Sequence, residues 1–190
     1  MASEYAKYVV DERAKKVMEN PEKAYRYARD VIKGRWCQAE LTIVKYPRWA
    51  YEYANDVIKG RWSEAEPVIM KDSEWAYKYA LDVIKGRWCQ AELTIMKDPV
   101  LRVHYSYLYA CHVIKGRWPE AEPCIMKKPD YARHYAEDVI KGRWPEAEPY
   151  IMKDPQSAYW YARSEAKRVM NGCLATPPVA TERAGLNQSS

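Results

Sequence analysis

The stretch Val31–Trp36 reads VIKGRW, and the same six residues return at Val57–Trp62, Val83–Trp88, Val113–Trp118 and Val139–Trp144. Successive copies start 26, 26, 30 and 26 residues apart. A full unit reads DPxxAYxYAxDVIKGRWPEAEPxIMK, and VIKGRWCQAELTI stands unchanged at Val31 and again at Val83. A fixed period of this size marks a repeat array: a unit this short cannot bury its own apolar face and must stack on its neighbours. The expected fold is all-α, an α-solenoid of stacked two-helix repeats of about 26 residues, with about seven helical hairpin units once the two ends are included.

The residues around the joint say why each unit is two helices. Pro21 suits the first helical turn, where its missing N–H has no partner to lose, and Asn20 is the matching N-cap. Ala24, Tyr25, Tyr27, Ala28, Val31 and Ile32 fall within an arc of roughly 160° at helical periodicity. That predicts a buried stripe with Val31 and Ile32 in it. Gly34 stands where a left-handed residue would end the helix, and Lys33 places a cation at its negative end. The return helix is expected to begin at the Trp, with Pro119 or Pro145 in its first turn. The longer step comes from Val100–Val103. Four residues are about one helical turn, so this insertion is expected to lengthen the first helix of its unit.

The ends read as capping units. Residues 1–20 form an N-terminal cap, 21–172 the repeat array with a C-terminal capping helix, and 173–190 a disordered tail. Tyr5–Asn20 and Tyr161–Gly172 both resemble units without the KGRW joint, and both carry Ala-Lys-basic-Val-Met. Composition narrows the class further. Hydrophobic residues make up 48 %, enough for a sizeable core, but with 17 Tyr, 8 Trp and no Phe the core must satisfy many polar ring tips. The net charge of +5 is mild for a nucleic-acid binder. Five cysteines in no CxxC pair read as reduced thiols in a cytosol-like compartment. No apolar segment is long enough to span a membrane, so the expected location is cytoplasmic.

No catalytic constellation, metal set or cofactor fingerprint is present in the sequence, and the expectation is a non-enzymatic protein. His104, His112 and His134 do not follow the repeat. Glu40, Glu66, Glu92, Glu122 and Glu148 hold one repeat position beside an apolar stripe, and a buried acid needs a partner. The arginines of the joints are the nearest, which predicts an Arg–Glu ladder linking units. Two binding surfaces are candidates. The first is the set of first-helix positions that differ between copies and would contact a protein partner: Arg26, Arg29, Glu52, Asn55, Lys78, Leu81, Ser106, Leu108, His134 and Glu137. The second is the repeated cationic edge, Lys33, Arg35, Lys59, Arg61, Lys85, Arg87, Lys115, Arg117, Lys141 and Arg143. Cations at the ~10 Å pitch of stacked helices suit a phosphate backbone or a nucleotide.

The unit AYxYAxDVIKGRWPEAEPxIMKDP resembles short helical repeats of uncharacterised phage, large-virus and some bacterial proteins: Tyr-Ala, a Lys-Gly-Arg-aromatic joint, then a Glu-containing return helix. The likeness covers about residues 21–172. It departs at Cys37–Gln38 and Cys89–Gln90, where the joint otherwise continues Pro-Glu. The resemblance implies a phage or virus origin, action in the host cytosol, and binding of a host protein, defence machinery included, in the manner of an anti-CRISPR. It carries no catalytic residues.

Overall fold

The structure, a computed structural model, describes residues 12–175. The described residues are all-α, with no strand. Helix α1 (Glu12–Met18) precedes five units. Their first helices are α2 (Pro21–Tyr27), α4 (Pro47–Tyr53), α6 (Ser73–Lys78), α8 (Arg102–Leu108) and α10 (Pro129–Tyr135). Their return helices are α3 (Cys37–Ile43), α5 (Glu66–Ile69), α7 (Cys89–Lys97), α9 (Glu122–Ile125) and α11 (Glu148–Ile151), and α12 (Pro155–Ala175) closes the described chain. Each first helix packs on its own return helix and on the first helix of the next unit.

The caps follow from the sequence. Asn20 Oδ1 accepts the Lys23 N–H at 3.0 Å, Asp72 accepts from Glu74 and Trp75, and Asp154 accepts from Ser157. Alanine fills the closest helix contacts: Ala24, Ala28, Ala50, Ala54, Ala76 and Ala80 are fully buried. The buried tryptophans and isoleucines of the joints and return helices complete the core.

The helix ends differ from expectation. Each first helix widens into a π-helical turn over its last residues, as at Ala28–Ile32 and Tyr79–Ile84. It then stops at the lysine, not the glycine. Lys33, Lys59, Lys85, Lys115 and Lys141 all adopt left-handed backbone at φ 56–58°, and the following glycines do not. The Lys33 and Gly34 N–H groups both reach the Ala28 carbonyl, which closes the end. The wider turn also breaks the 3.6-residue phase beyond Ala28. Val31 and Ile32, with no preceding π turn beside them among the described residues, are exposed, while their equivalents in later units, which share the same π turn, are buried or half-buried against the preceding unit.

Left-handed backbone costs a non-glycine residue about 1–2 kcal/mol, part of which glycine would return as chain entropy. Lys85→Gly should therefore raise stability by about 0.5–1 kcal/mol. Gly86→Ala should stay within about 0.5 kcal/mol of wild type, because an added Cβ meets nothing within 4 Å there. Chemical denaturation measures both. A lower midpoint for Lys85→Gly would show that the lysine side chain contributes more than its backbone costs.

Two further expectations fail for identifiable reasons. Glu66–Ile69, Glu122–Ile125 and Glu148–Ile151 are only four residues long. The proline of EAEP, Pro67, Pro123 or Pro149, lacks the N–H that a helix begun at the Trp would need; Leu41 and Leu93 replace it in α3 and α7, which start at Cys37 and Cys89. The insertion does not lengthen a first helix either, since α8 has the seven residues of α2. The extra residues extend α7 to Lys97 and make a loop, pinned by Asp98 accepting the Val100 and Leu101 N–H groups. That loop holds Val100 out at 82 % exposure. Of the expected tail, Cys173–Ala175 belong to α12, and 176–190 lie outside the described residues, as do 1–11 of the N-terminal cap.

Candidate functional site

Each joint is held by one repeated hydrogen-bond relay. Arg35 donates from Nε and one terminal nitrogen to the two oxygens of Glu40, at 2.9 and 2.8 Å. Tyr53 of the next unit donates its hydroxyl to Glu40 at 3.0 Å and accepts the Trp36 backbone N–H at 2.6 Å. The same relay recurs at Arg61–Glu66–Tyr79–Trp62, Arg87–Glu92–Tyr109–Trp88, Arg117–Glu122–Tyr135–Trp118 and Arg143–Glu148–Tyr161–Trp144. The Arg–Glu pair thus lies within a unit, and the tyrosine makes the link between units. Burial alone would raise the Glu40 carboxyl; Arg35 and Tyr53 outweigh it and hold it below the usual carboxylate range. Burial pushes the Tyr79 hydroxyl up to about 12.

A second rung was missed in the sequence. Tyr25 donates to Asp56, Tyr51 to Asp82 at 2.7 Å and Tyr107 to Asp138 at 2.6 Å, each across 31 residues. The signal was available as a Tyr–Asp spacing one period plus five. Between the third and fourth units His112 replaces the aspartate, and its Nδ1 lies 2.8 Å from the Tyr77 hydroxyl. His104 turns the other way, toward Tyr131 at 3.2 Å, so these two histidines do not share a site. Among the described residues no three His, Cys, Asp or Glu side chains gather to hold a metal, and Cys37, Cys89, Cys111 and Cys124 are free thiols.

The cationic edge splits in two. Its arginines are committed to glutamates. Its lysine side chains are exposed and take part in no hydrogen bond or ion pair. Lys59, Lys85 and Lys115 line clefts between neighbouring joints. One, of about 520 Å³, is bounded by Leu81, Asp82, Lys85, Gly86, His112 and Lys115; another, of about 220 Å³, by Asn55, Lys59, Gly60, Asp82 and Lys85. The joint tryptophans are buried against tyrosines, as Trp62 on Tyr53 with centroids 5.1 Å apart, and do not face these clefts.

No family model, curated protein or solved structure matches this chain. What the surfaces can do is therefore read from their geometry. Among the expected partner-facing positions, Arg26 pairs with Glu22, Arg29 with Asp30, Lys78 with Glu74 and Glu137 with Arg133, all at or near the surface. Glu52, Asn55, Leu81, Leu108 and His134 are half-buried. Ser106 is a correction. It is 0 % exposed and sits where the other units carry the packed alanine, because the four inserted residues shift the count. The residue aligned with Arg29 and Asn55 is Cys111. No helix of the described residues is long and apolar enough to cross a membrane.

Proposed function

We propose that the chain is a short helical solenoid that binds a protein partner without catalysis, through the first-helix positions that differ between units. The observation that carries this reading is the division within each unit. The packed small residues and the joint tryptophans are buried alike in every copy, and from the second unit on so are the second tyrosines of the relay, while Arg26, Glu52, Lys78, Leu108 and His134 change charge and shape at one repeat position outside that frame. Residues that vary over a fixed scaffold are how repeat arrays build binding faces. The likeness of the unit to phage and large-virus repeats favours a host protein, defence components included, as the partner.

The test is capture of a partner from host lysate by the wild-type chain and by the triple variant Arg26→Glu, Lys78→Glu, Glu137→Lys. Reversing three interfacial charges should weaken binding of the captured protein at least tenfold, on the order of 1–2 kcal/mol. Unchanged affinity would remove this face from the interface.

A second reading has its own support: five lysines held left-handed with unpaired side chains, three of which, Lys59, Lys85 and Lys115, line clefts between joints. Strained backbone that recurs at one place points to function. Lys59→Ala, Lys85→Ala and Lys115→Ala together should weaken binding of a labelled single-stranded oligonucleotide. They should also flatten its log–log salt dependence by roughly 2, for three lost phosphate contacts. An unaltered slope would return the lysines to the joint alone.

A further inference from the structure

We infer that the two ends of the described array are complementary halves of its own internal junction, and that the chain associates head to tail with a second copy. Inside the array, the first helices of the first three units present a tyrosine, two alanines and a ring-stacking surface to the next unit; Ser106 replaces one alanine in the fourth and Arg133 the tyrosine in the fifth. Tyr25 is 3 % exposed, with Ala24 and Ala28 at 0 %, because the next unit covers them. Tyr25 donates to Asp56 and stacks on Trp49 with centroids 5.8 Å apart. Helix α12 repeats this surface at Ala158, Tyr159 and Ala162, and nothing among the described residues covers it. Tyr159 is 60 % exposed, its hydroxyl has no hydrogen bond, and Ala162 is exposed.

The opposite end carries the other half. In α2 and its π turn, Asp30 occupies the position of Asp56, Asp82 and Asp138, but no tyrosine reaches it; it pairs with Arg29 of its own unit. Its side chain is 56 % exposed, against 32 % for Asp56. Val31 and Ile32, whose equivalents pack on a preceding unit, are exposed here. Among the described residues the array ends in half units: helix α1 packs on α2 as a return helix packs on the next first helix, with no first helix described before it, and α12 is a first helix with no joint or return helix described after it. Seated beside α1 and α2 of another copy, α12 supplies the missing first helix. Tyr159 then donates to Asp30, and Lys23, which stands where Trp49 and Trp75 stand, meets the Tyr159 ring as a cation over an aromatic face. An open end with an apolar, unsatisfied surface is what capping repeats exist to remove, and a heterologous contact of this kind adds copies in a row instead of closing a symmetric dimer.

The experiment is sedimentation velocity of the full chain over a concentration series, with Asp30→Lys and Tyr159→Glu, both exposed substitutions, checked for unchanged helicity by circular dichroism. Wild type should show a weight-average mass that rises with concentration beyond that of a dimer of 22.3 kDa chains. Each variant alone should stay monomeric. Mixed, they should form a one-to-one dimer and nothing longer, because each retains the half that the other has lost. A wild type that is monomeric throughout would overturn the proposal. Asp30→Lys that still self-associates would overturn it in favour of a tail-to-tail contact.

Discussion

Trp118→Ala is expected to destabilise the fold by about 3–5 kcal/mol, the range for deleting a fully buried tryptophan. Trp118 is 1 % exposed and packs on Tyr109 with centroids 5.0 Å apart, at the middle of the array. For a chain of this size that is a fall in melting temperature on the order of 10 °C. The backbone N–H of residue 118 still reaches Tyr135 in the variant, so the loss isolates the ring and its cavity from the relay. Trp118→Phe is the informative contrast. The Trp118 indole N–H is buried with no acceptor among the described residues, and an unpaired buried donor costs about 1–3 kcal/mol. Removing it while keeping an aromatic ring should leave stability within about 1.5 kcal/mol of wild type. Thermal melts of the two variants separate the effects: a Phe variant as damaged as the Ala variant would mean the indole does bond in solution.

The second large effect is unfolding at high pH. Burial, reinforced by neighbouring carboxylates, raises the hydroxyls of Tyr25, Tyr51, Tyr53, Tyr79, Tyr107, Tyr109 and Tyr135 above their ordinary value of 10.0, with Tyr25 and Tyr79 at about 12. A raised tyrosine binds its proton more tightly folded than unfolded. Its contribution is complete below pH 10 and is lost as pH climbs from there toward the folded value. Because every junction holds one of these tyrosines or, at α12, Tyr161, which burial raises in the same way, the losses add. Tyrosinate absorbance should rise late and together with the loss of helical circular dichroism, in one cooperative step above pH 10. Tyrosines titrating near 10 with the helices intact would contradict the relay. On the acid side, Glu40 and Glu148 are held low by their arginines and by Tyr53 and Tyr161. Their contribution persists above pH 4.5 and fades as pH falls through the folded values.

Much of the helical frame was legible because it rests on local rules. Pro21 and Asn20 start a helix, Tyr and Ala recur at core spacing, and a buried glutamate required the arginine it has. What the sequence hid depends on non-local packing. Nothing in DVIKGRW announces that the turn before the lysine widens to π, and that widening moves the left-handed residue from Gly34 to Lys33. The Tyr–Asp rung escaped notice because its partners are one unit apart and belong to different helices. Ser106 was misassigned by counting through an insertion that the structure absorbs in α7 and its loop. The glutamates pointed to the joint arginines as their partners, but that the lysine side chains beside them stay exposed and unpaired became visible only with the side chains in place.

The relay has a consequence for how such a chain changes length. Every joint hands the same tyrosine hydroxyl to the same Trp N–H and glutamate, so any unit is an acceptable neighbour for any other. Recombination between two copies of VIKGRW would delete or add a whole period and restore an intact junction at the splice, with no new contact to evolve. Length, and with it the reach of the proposed binding face, is therefore free to drift in steps of one unit. The His112 rung and the Val100 loop are the marks that make one position along the stack distinguishable from the rest.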